Sequence, residues 1–265
     1  MPHKLLEYPE ALCNQLNRII VEAGEITLDH FDDAGCEFHQ EGEDSPLILA
    51  RSAAGQYIYT ALTKLLPDIP IIGTATPTLE DSSYFWLVSP LDDPHEFISG
   101  NGEYTISIAL IHENKPWIGV VYAPYLGELY GGCVDHGAYK WNEETGTQKS
   151  IQVRQPPSSG VTAVTSRSDQ KTTSRDDFLQ DFKVKKLIKK GGALKICSIA
   201  AGKADLYSCF DTPCEWEMAA AHAVLESAGG YLVQAHDFTS VSYGKNQVGK
   251  WQSPEFIASG FSFFE

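Results

Sequence analysis

Apolar residues in the first quarter of the chain recur at helical spacing. From 11 to 30 they fall on one face of a helix, and a second stretch of this kind runs from 49 to 66. Pro67 ends the second pattern, because proline cannot continue a helix. The polar stretch from Cys36 to Ser45 predicts a hairpin or loop between the two helices.

The spacing then changes to short runs of β-branched and aromatic residues, which Gly, Pro, Asn and Asp turns separate. The predicted strands are 71–72, 84–88, 105–111, 117–122, 129–132 and 138–141. Strands that follow each other so closely favour an antiparallel sheet, which we expect to pack on the two preceding helices.

After a Pro/Ser/Gly linker at 155–160, strands alternate with helices. The predicted strands are 161–165, 184–188, 205–210, 231–234 and 256–259, and the predicted helices are 175–181, 194–201 and 215–228. The pattern divides the chain into an α+β subdomain, residues 1–156, and an α/β subdomain, residues 157–265.

Charge and cysteine usage restrict the possible functions. Acidic residues outnumber basic ones by 35 to 20 in 265 residues, a formal net charge of −15. Such a surface repels nucleic acids and anionic lipid, so an anionic substrate requires a local positive centre. There is no apolar run of membrane-spanning length and no leader pattern, and the six cysteines are scattered. These features predict a cytoplasmic protein with reduced, buried thiols; a metal at Cys209 and Cys214 is the less favoured reading.

Five segments resemble one protein family. Residues 86–97 read WLVSPLDDPHEF, against the family pattern W-L-V-D-P-L-D-G-T-x-E-F, and 101–105 read NGEYT. The segments at 119–124, 191–195 and 215–223 match further family patterns in the same order. Together they resemble the CysQ-type bisphosphate nucleotidases of the inositol monophosphatase superfamily. The resemblance implies a layered α/β/α/β/α sandwich with a phosphate site between two subdomains.

The chemistry that the resemblance implies depends on Mg²⁺. Two or three ions, held by carboxylates about 4 Å apart, cancel phosphate charge and bind the attacking water. The backbone N–H groups of a Gly-Thr pair at a helix N-terminus bind the phosphate. A Thr–Asp dyad helps to remove the proton from the water.

Several of the implied metal ligands are changed in this sequence. The family glutamate position holds Thr74, and the first Asp of D-P-L-D is Ser89. The carbonyl of Leu91 and the carboxylate of Asp92 are retained. The last ligand position, an Asp at the start of the C-terminal helix, holds Glu217.

The implied phosphate-binding and dyad positions are changed as well. The Gly-Thr pair reads Asp93-Pro94, which places a negative charge where phosphate binds and removes both a hydroxyl and a backbone N–H. The Asp of the dyad is Arg51, although the preceding Asp44-Ser45-Pro46 is kept.

On the substrate side, the resemblance assigns positions to Gly192, where the family has Ser, to Lys195 and to Arg167. Three carboxylates opposed by Arg51 leave a formal site charge of −2, against five carboxylates in the intact family site. We therefore expect Mg²⁺ binding to be weak or absent. We also expect the Arg51 guanidinium to neutralise the remaining acids by bidentate pairing.

Three functional interpretations follow. The first is a protein whose phosphatase chemistry is lost or severely weakened, and which binds a small phosphorylated metabolite or an unknown protein partner as a monomer or homodimer. The second is an active phosphatase that hydrolyses 3′(2′),5′-bisphosphate nucleotides or sugar or inositol phosphates with an altered site. The third is different chemistry built around His95 and the neighbouring acids.

Overall fold

The computed structural model describes residues 4–31, 45–73, 82–167, 173–245 and 251–263. The helices are α1 Pro9–Leu28, α2 Pro46–Leu65, α3 Pro94–Ile98, α4 Thr173–Leu179, α5 Leu194–Ala200 and α6 Glu215–Ser227. The strands are β1 Ile71–Gly73, β2 Tyr84–Asp92, β3 Thr105–His112, β4 Lys115–Ala123, β5 Glu128–Cys133, β6 Gly137–Asn142, β7 Thr147–Ile151, β8 Val161–Ser166, β9 Val184–Lys190, β10 Leu206–Cys209, β11 Tyr231–Gln234 and β12 Phe256–Ser259.

The two N-terminal helices are confirmed, and each begins two or three residues earlier than predicted. Both start with a proline, which suits the first helical turn because its missing N–H has no partner there. At α2 the hydroxyl of Ser45 accepts a hydrogen bond of 3.4 Å from the N–H of Ile48. The predicted hairpin between the helices lies outside the described residues from 36 to 44.

The first sheet has seven strands in the order β1-β2-β3-β4-β5-β6-β7. It is antiparallel from β2 to β7, as predicted, but β1 pairs with β2 in parallel, with Ile71 opposite Trp86. The sequence prediction also missed β7, because its residues TQKSI are mostly exposed and lack an apolar face. A polar edge strand gives little periodic signal.

The second sheet has the order β11-β12-β10-β8-β9, with β8 parallel to both β9 and β10. The layers run from α1 and α2, through the seven-stranded sheet, to α5 and α6, then the five-stranded sheet and α4. The expected α/β/α/β/α sandwich is confirmed. The boundary near residue 156 stays a prediction, because α6 of the later segment packs on strands of the earlier sheet.

Two apolar cores fill the faces of the seven-stranded sheet. Trp86 and Val88 point towards α1 and α2, while Phe85 and Leu87, the alternate residues of β2, point towards α5 and α6. No helix in the described part of the chain is long and apolar enough to cross a membrane.

Candidate functional site

The three carboxylates that the sequence offers at the implied site lie close together at one end of the seven-stranded sheet. Asp92 ends β2 beyond a bulge, Asp93 caps α3, and Glu217 lies in the first turn of α6. Burial, together with the charges of Glu217 and Asp93, raises the pKa of Asp92 to about 7, although the charge of Lys195 lowers it in part. The sheet end is therefore a crowded, partly desolvated acidic site.

Asp93 stands in the left-handed region, with φ 60° and ψ 71°. The resemblance implies a glycine at this position, and glycine adopts that conformation without strain. The carboxylate of Asp93 accepts a hydrogen bond of 3.0 Å from the backbone N–H of Gly192. The backbone N–H of Gly192 is therefore already hydrogen-bonded to a carboxylate of the protein, on the side of the cleft where the resemblance places substrate.

The neighbouring backbone donors are also taken by side chains of the protein. The N–H of Gly191 donates to Glu103 at 3.0 Å, and the N–H of Ala193 donates to the hydroxyl of Thr105 at 3.3 Å. At Gly192 a Cβ would lie 2.7 Å from that hydroxyl oxygen, so the backbone there has no space for a side chain. Three successive N–H groups before α5 are therefore not free to bind an anion.

Glu217 is turned back onto its own helix. Its carboxylate accepts a hydrogen bond of 2.8 Å from the N–H of Cys214, an arrangement that caps the helix N-terminus. Burial raises the pKa of Glu217, and the Cys214 N–H and the charges of Arg51 and Lys195 lower it in part. One of its two oxygens is therefore committed to helix capping.

Arg51 does not form the expected bidentate pair. Within the described part of the chain no ion pair joins it to Asp92, Asp93 or Glu217, and its buried Nε has no hydrogen-bond partner there. Its charge nevertheless acts on Glu217 and favours the ionised carboxylate. Arg51 also lines a groove between α2, β1 and β2, so this groove borders the acids.

The other implied metal positions offer little. Ser89 is buried in β2, opposite Ser107 of β3, and Leu91 is buried beside it. Pro94 is the first residue of α3, where it has no N–H to offer a phosphate. Thr74 lies outside the described residues.

Arg167 is engaged in an ion pair. Its Nε lies 2.9 Å from a carboxylate oxygen of Glu103 and 3.7 Å from one of Glu96, and Lys190 lies 2.6 Å from the other oxygen of Glu103. Burial raises the pKa of Glu103, but the hydrogen bonds from Arg167 and Lys190 outweigh it and lower the pKa overall. Glu103 is not among the predicted site residues; its place in the NGEYT segment was the available signal.

Lys195 is the one implied substrate residue of the cleft whose charge faces the acids. Its Nζ lies 5.8 Å from the centre of the Tyr207 ring, and its charge lowers the pKa of both Asp92 and Glu217. This arrangement fits the expectation that Lys195 balances local acids, and it leaves anion binding open as the other expectation.

The described residues at this end of the sheet do not by themselves form a site for two or three Mg²⁺ ions. Among the described residues no group of three or more His, Cys, Asp or Glu side chains is arranged to hold a metal. Asp92, Asp93 and Glu217 each have one oxygen hydrogen-bonded within the protein, to Thr105, Gly192 and Cys214. His95 is exposed on α3.

Comparison with known proteins places this geometry among phosphatases. Residues 9–252 match the model of the inositol monophosphatase family. The 3′(2′),5′-bisphosphate nucleotidase CysQ of Salmonella typhimurium is 35% identical over 232 residues, covering 86% of this chain and 91% of the relative. That of Buchnera aphidicola is 35% identical over 230 residues, covering 83% and 80%. The crystal structure of CysQ from Bacteroides thetaiotaomicron superposes with a TM-score of 0.84 at 28% identity, covering 96% and 99%.

Proposed function

Because the chain belongs to the inositol monophosphatase family, we propose that it is a CysQ-like protein whose metal-dependent phosphatase chemistry is lost or severely weakened. In this proposal it persists as a binding or regulatory protein. The observation that carries the proposal is the hydrogen bond from the Gly192 N–H to Asp93. A fixed negative charge stands there on the substrate side of the cleft, where the resemblance implies a phosphate.

Charge supports the same proposal. The family reaction brings two or three divalent cations together, which requires several carboxylates at short range. Here two carboxylates, Asp92 and Glu217, stand at implied ligand positions, and the charge of Arg51 opposes that of Glu217. Residues that act as one catalytic unit fail together, so the joint replacement of ligands, phosphate loop and dyad removes the rate enhancement rather than a fraction of it.

One specific finding favours the alternative, an active metal-dependent phosphomonoesterase. The relatives from Salmonella typhimurium and Buchnera aphidicola, each 35% identical, are named as 3′(2′),5′-bisphosphate nucleotidases. In this alternative Asp92, the Leu91 carbonyl and Glu217 hold a reduced metal set, and Lys195 helps to bind a bisphosphate nucleotide or a sugar or inositol phosphate.

Phosphate release separates the two proposals. Adenosine 3′,5′-bisphosphate and inositol 1-phosphate are incubated with the purified chain and Mg²⁺, and separately Mn²⁺, beside the Salmonella typhimurium relative as positive control. We expect turnover at background, at least about a thousandfold below the relative. Turnover within about tenfold of the relative, with either metal, would establish the alternative and refute loss of catalysis.

A combined variant tests whether the replaced residues are the cause. It carries Arg51→Asp, Thr74→Glu, Ser89→Asp, Asp93→Gly and Pro94→Thr, with the unmodified chain as the matched control. Recovery of Mg²⁺-dependent phosphate release attributes the loss to these positions. Continued absence of activity in a folded variant shows that further parts of the cleft have diverged.

A further inference from the structure

Positive charge is concentrated on the strand β9. Residues 183–190 read KVKKLIKK, so five of the 20 Lys and Arg residues of the chain lie within eight positions, with no acidic residue among them. The chain as a whole has a formal net charge of −15. A basic segment on so acidic a molecule marks a surface that attracts a different class of partner from the rest of the protein.

The strand β9 also forms an edge of its sheet. It pairs with β8 at the end of the order β11-β12-β10-β8-β9, and in the described part of the chain no second strand pairs with it. Its residues from 184 to 187 are all exposed, and so is Lys189. The N–H and C=O groups on the outer side of β9 are therefore available to an added strand.

Most of these lysines have no counter-charge in the protein. Among the described residues no carboxylate forms an ion pair with a lysine of the segment 183–189, although Lys185 donates a hydrogen bond of 3.2 Å to the hydroxyl of Ser159. Lys190 differs, because its ammonium lies 2.6 Å from a carboxylate oxygen of Glu103. We therefore leave Lys190 out and call residues 183–189 the β9 edge.

Lysine on an exposed edge strand commonly prevents aggregation, but this fold does not protect its other edges in that way. The other edge strands of the two sheets, β1, β7 and β11, read IIG, TQKSI and YLVQ and contain one lysine between them. The lysines of β9 oppose pairing with β9 of a second copy, since like charges would face each other. The same charges favour an added strand that carries carboxylates.

The side chains of the β9 edge present a specific pattern. Successive residues of a strand point to opposite faces of the sheet. Ile188 packs against the core that contains α5 and α6, so Lys185, Leu187 and Lys189 lie on the other face, where Leu187 is 48% exposed. An added strand places its own side chains opposite these three. Their complement is an acid, an apolar residue and a second acid at alternate positions.

Large polyanions match this surface less well than a peptide does. Nucleic acid and anionic lipid present charge over an area wider than one strand, so they would also meet the acidic remainder of the surface. Neither has a peptide backbone that could pair with the free edge. A short extended peptide satisfies the backbone groups and the lysines together.

We propose that the β9 edge is a docking site for an acidic, extended segment of a partner protein, which adds to the five-stranded sheet as a sixth strand. Its backbone pairs with the outer side of β9, and its carboxylates lie opposite Lys185, Lys186 and Lys189. Val184 begins the strand about 20 Å from Gly191, where the strand meets the cleft. Docking here does not depend on phosphate-ester hydrolysis.

The probe is an acetylated and amidated peptide that reads Glu-Glu-Val-Thr-Glu-Glu-Val-Thr-Glu-Glu. As a strand it alternates acid and valine on one face, and acid and threonine on the other. Binding to the full chain is measured by calorimetry and by amide hydrogen exchange. We expect saturable binding tighter than about 500 μM at about 50 mM salt, with new protection from exchange on β9.

Two control peptides separate charge from strand pairing. One has glutamine at every glutamate position, and the other is N-methylated at alternate residues, which keeps the charge but removes N–H donors. We expect each to bind at least about tenfold more weakly than the probe, because docking requires both the carboxylates and the backbone hydrogen bonds.

The decisive variant is Lys185→Gln/Lys189→Gln, with Lys64→Gln/Lys149→Gln as the matched control that removes the same charge from exposed positions elsewhere. We expect the first to weaken binding at least about fivefold and the control to weaken it less than about twofold. A second variant, Leu187→Glu, brings a carboxylate to the centre of the β9 edge and should weaken binding without removing a lysine. Melting curves check that each variant is folded, and Leu187→Glu decides the matter if the double variant is not.

Equal affinity of the wild type and Lys185→Gln/Lys189→Gln would overturn the proposal, as would undiminished binding of the N-methylated peptide. Tighter binding of a ten-nucleotide oligothymidylate, or of vesicles that contain phosphatidylserine, would also overturn it, in favour of a nucleic acid or a membrane. Protection centred on Gly192 and Lys195 would assign the peptide to the cleft instead. Because the peptide contains no phosphate ester, its binding is measured independently of whether the chain releases phosphate.

Discussion

Replacing Asp92 by asparagine should stabilise the protein at neutral to alkaline pH. Burial, with the charges of Glu217 and Asp93, raises the pKa of Asp92 from 3.8 to about 7. In the unfolded chain the carboxyl group titrates near its ordinary value, so between about pH 4 and pH 7 the folded state binds more protons. The free energy of unfolding of the wild type therefore falls as pH rises through this window.

The size of the effect follows from the shift. About three pKa units correspond to a ceiling of about 4 kcal/mol at 1.36 kcal/mol per unit. Asparagine carries no charge and keeps an oxygen that can accept the hydrogen bond from Thr105, but it also deprives Lys195 of an opposing charge. We expect Asp92→Asn to raise the free energy of unfolding by about 1–3 kcal/mol near pH 8, and the gain to vanish towards about pH 4.

Urea unfolding of Asp92→Asn and wild type, with EDTA present, from about pH 4 to pH 8 measures this difference. Asp68→Asn, at an exposed position after α2, is the matched control and should change the free energy of unfolding little at any pH. A variant that is less stable than wild type near pH 8, or a gain that does not depend on pH, would refute this account of the acidic site.

Three further substitutions test the packing that supports the site. Arg154→Ala should lower the free energy of unfolding by about 2–4 kcal/mol in urea titrations, because it strands the fully buried Asp205, which Arg154 contacts twice at 2.8 Å. Gly119→Ala should cost about 1–3 kcal/mol or more, since its Cβ would lie 2.1 Å from the carbonyl oxygen of Ala220; an unchanged melting temperature would contradict this contact. Tyr243→Phe should cost about 1–2 kcal/mol, because it removes the 2.8 Å partner of the buried histidine in α6, and a neutral result would show that another group replaces it.

Most of the fold could be predicted because its helices and buried strands carry strong periodic patterns. The α6 helix, rich in alanine and followed by two glycines, was placed within one residue of its observed end at Ser227. The parallel pairing of β1 could not be predicted, because Ile71–Gly73 is a three-residue strand and strand order depends on long-range contacts. The strand β7 was missed for a different reason: its residues are mostly polar and exposed, so the sequence shows no apolar face there.

The roles of the site residues stay a prediction. The sequence implied that Asp92, Asp93 and Glu217 lie near each other, and in the structure their charges act on one another. The sequence could not show that Asp93 occupies the N–H of Gly192, because that contact joins residues 99 positions apart. Nor could it show that Arg51 stays unpaired among the described residues, since the direction of a long side chain depends on neighbouring packing.

A calorimetric titration of the purified chain with Mg²⁺ tests the central claim most directly, because the claim concerns the loss of the charge that gathers metal ions. The Salmonella typhimurium relative, 35% identical, serves as the control in the same buffer. We expect no saturable binding below about 10 mM Mg²⁺ for this chain. Saturable binding of two or more Mg²⁺ ions per chain, with dissociation constants below about 1 mM, would contradict it.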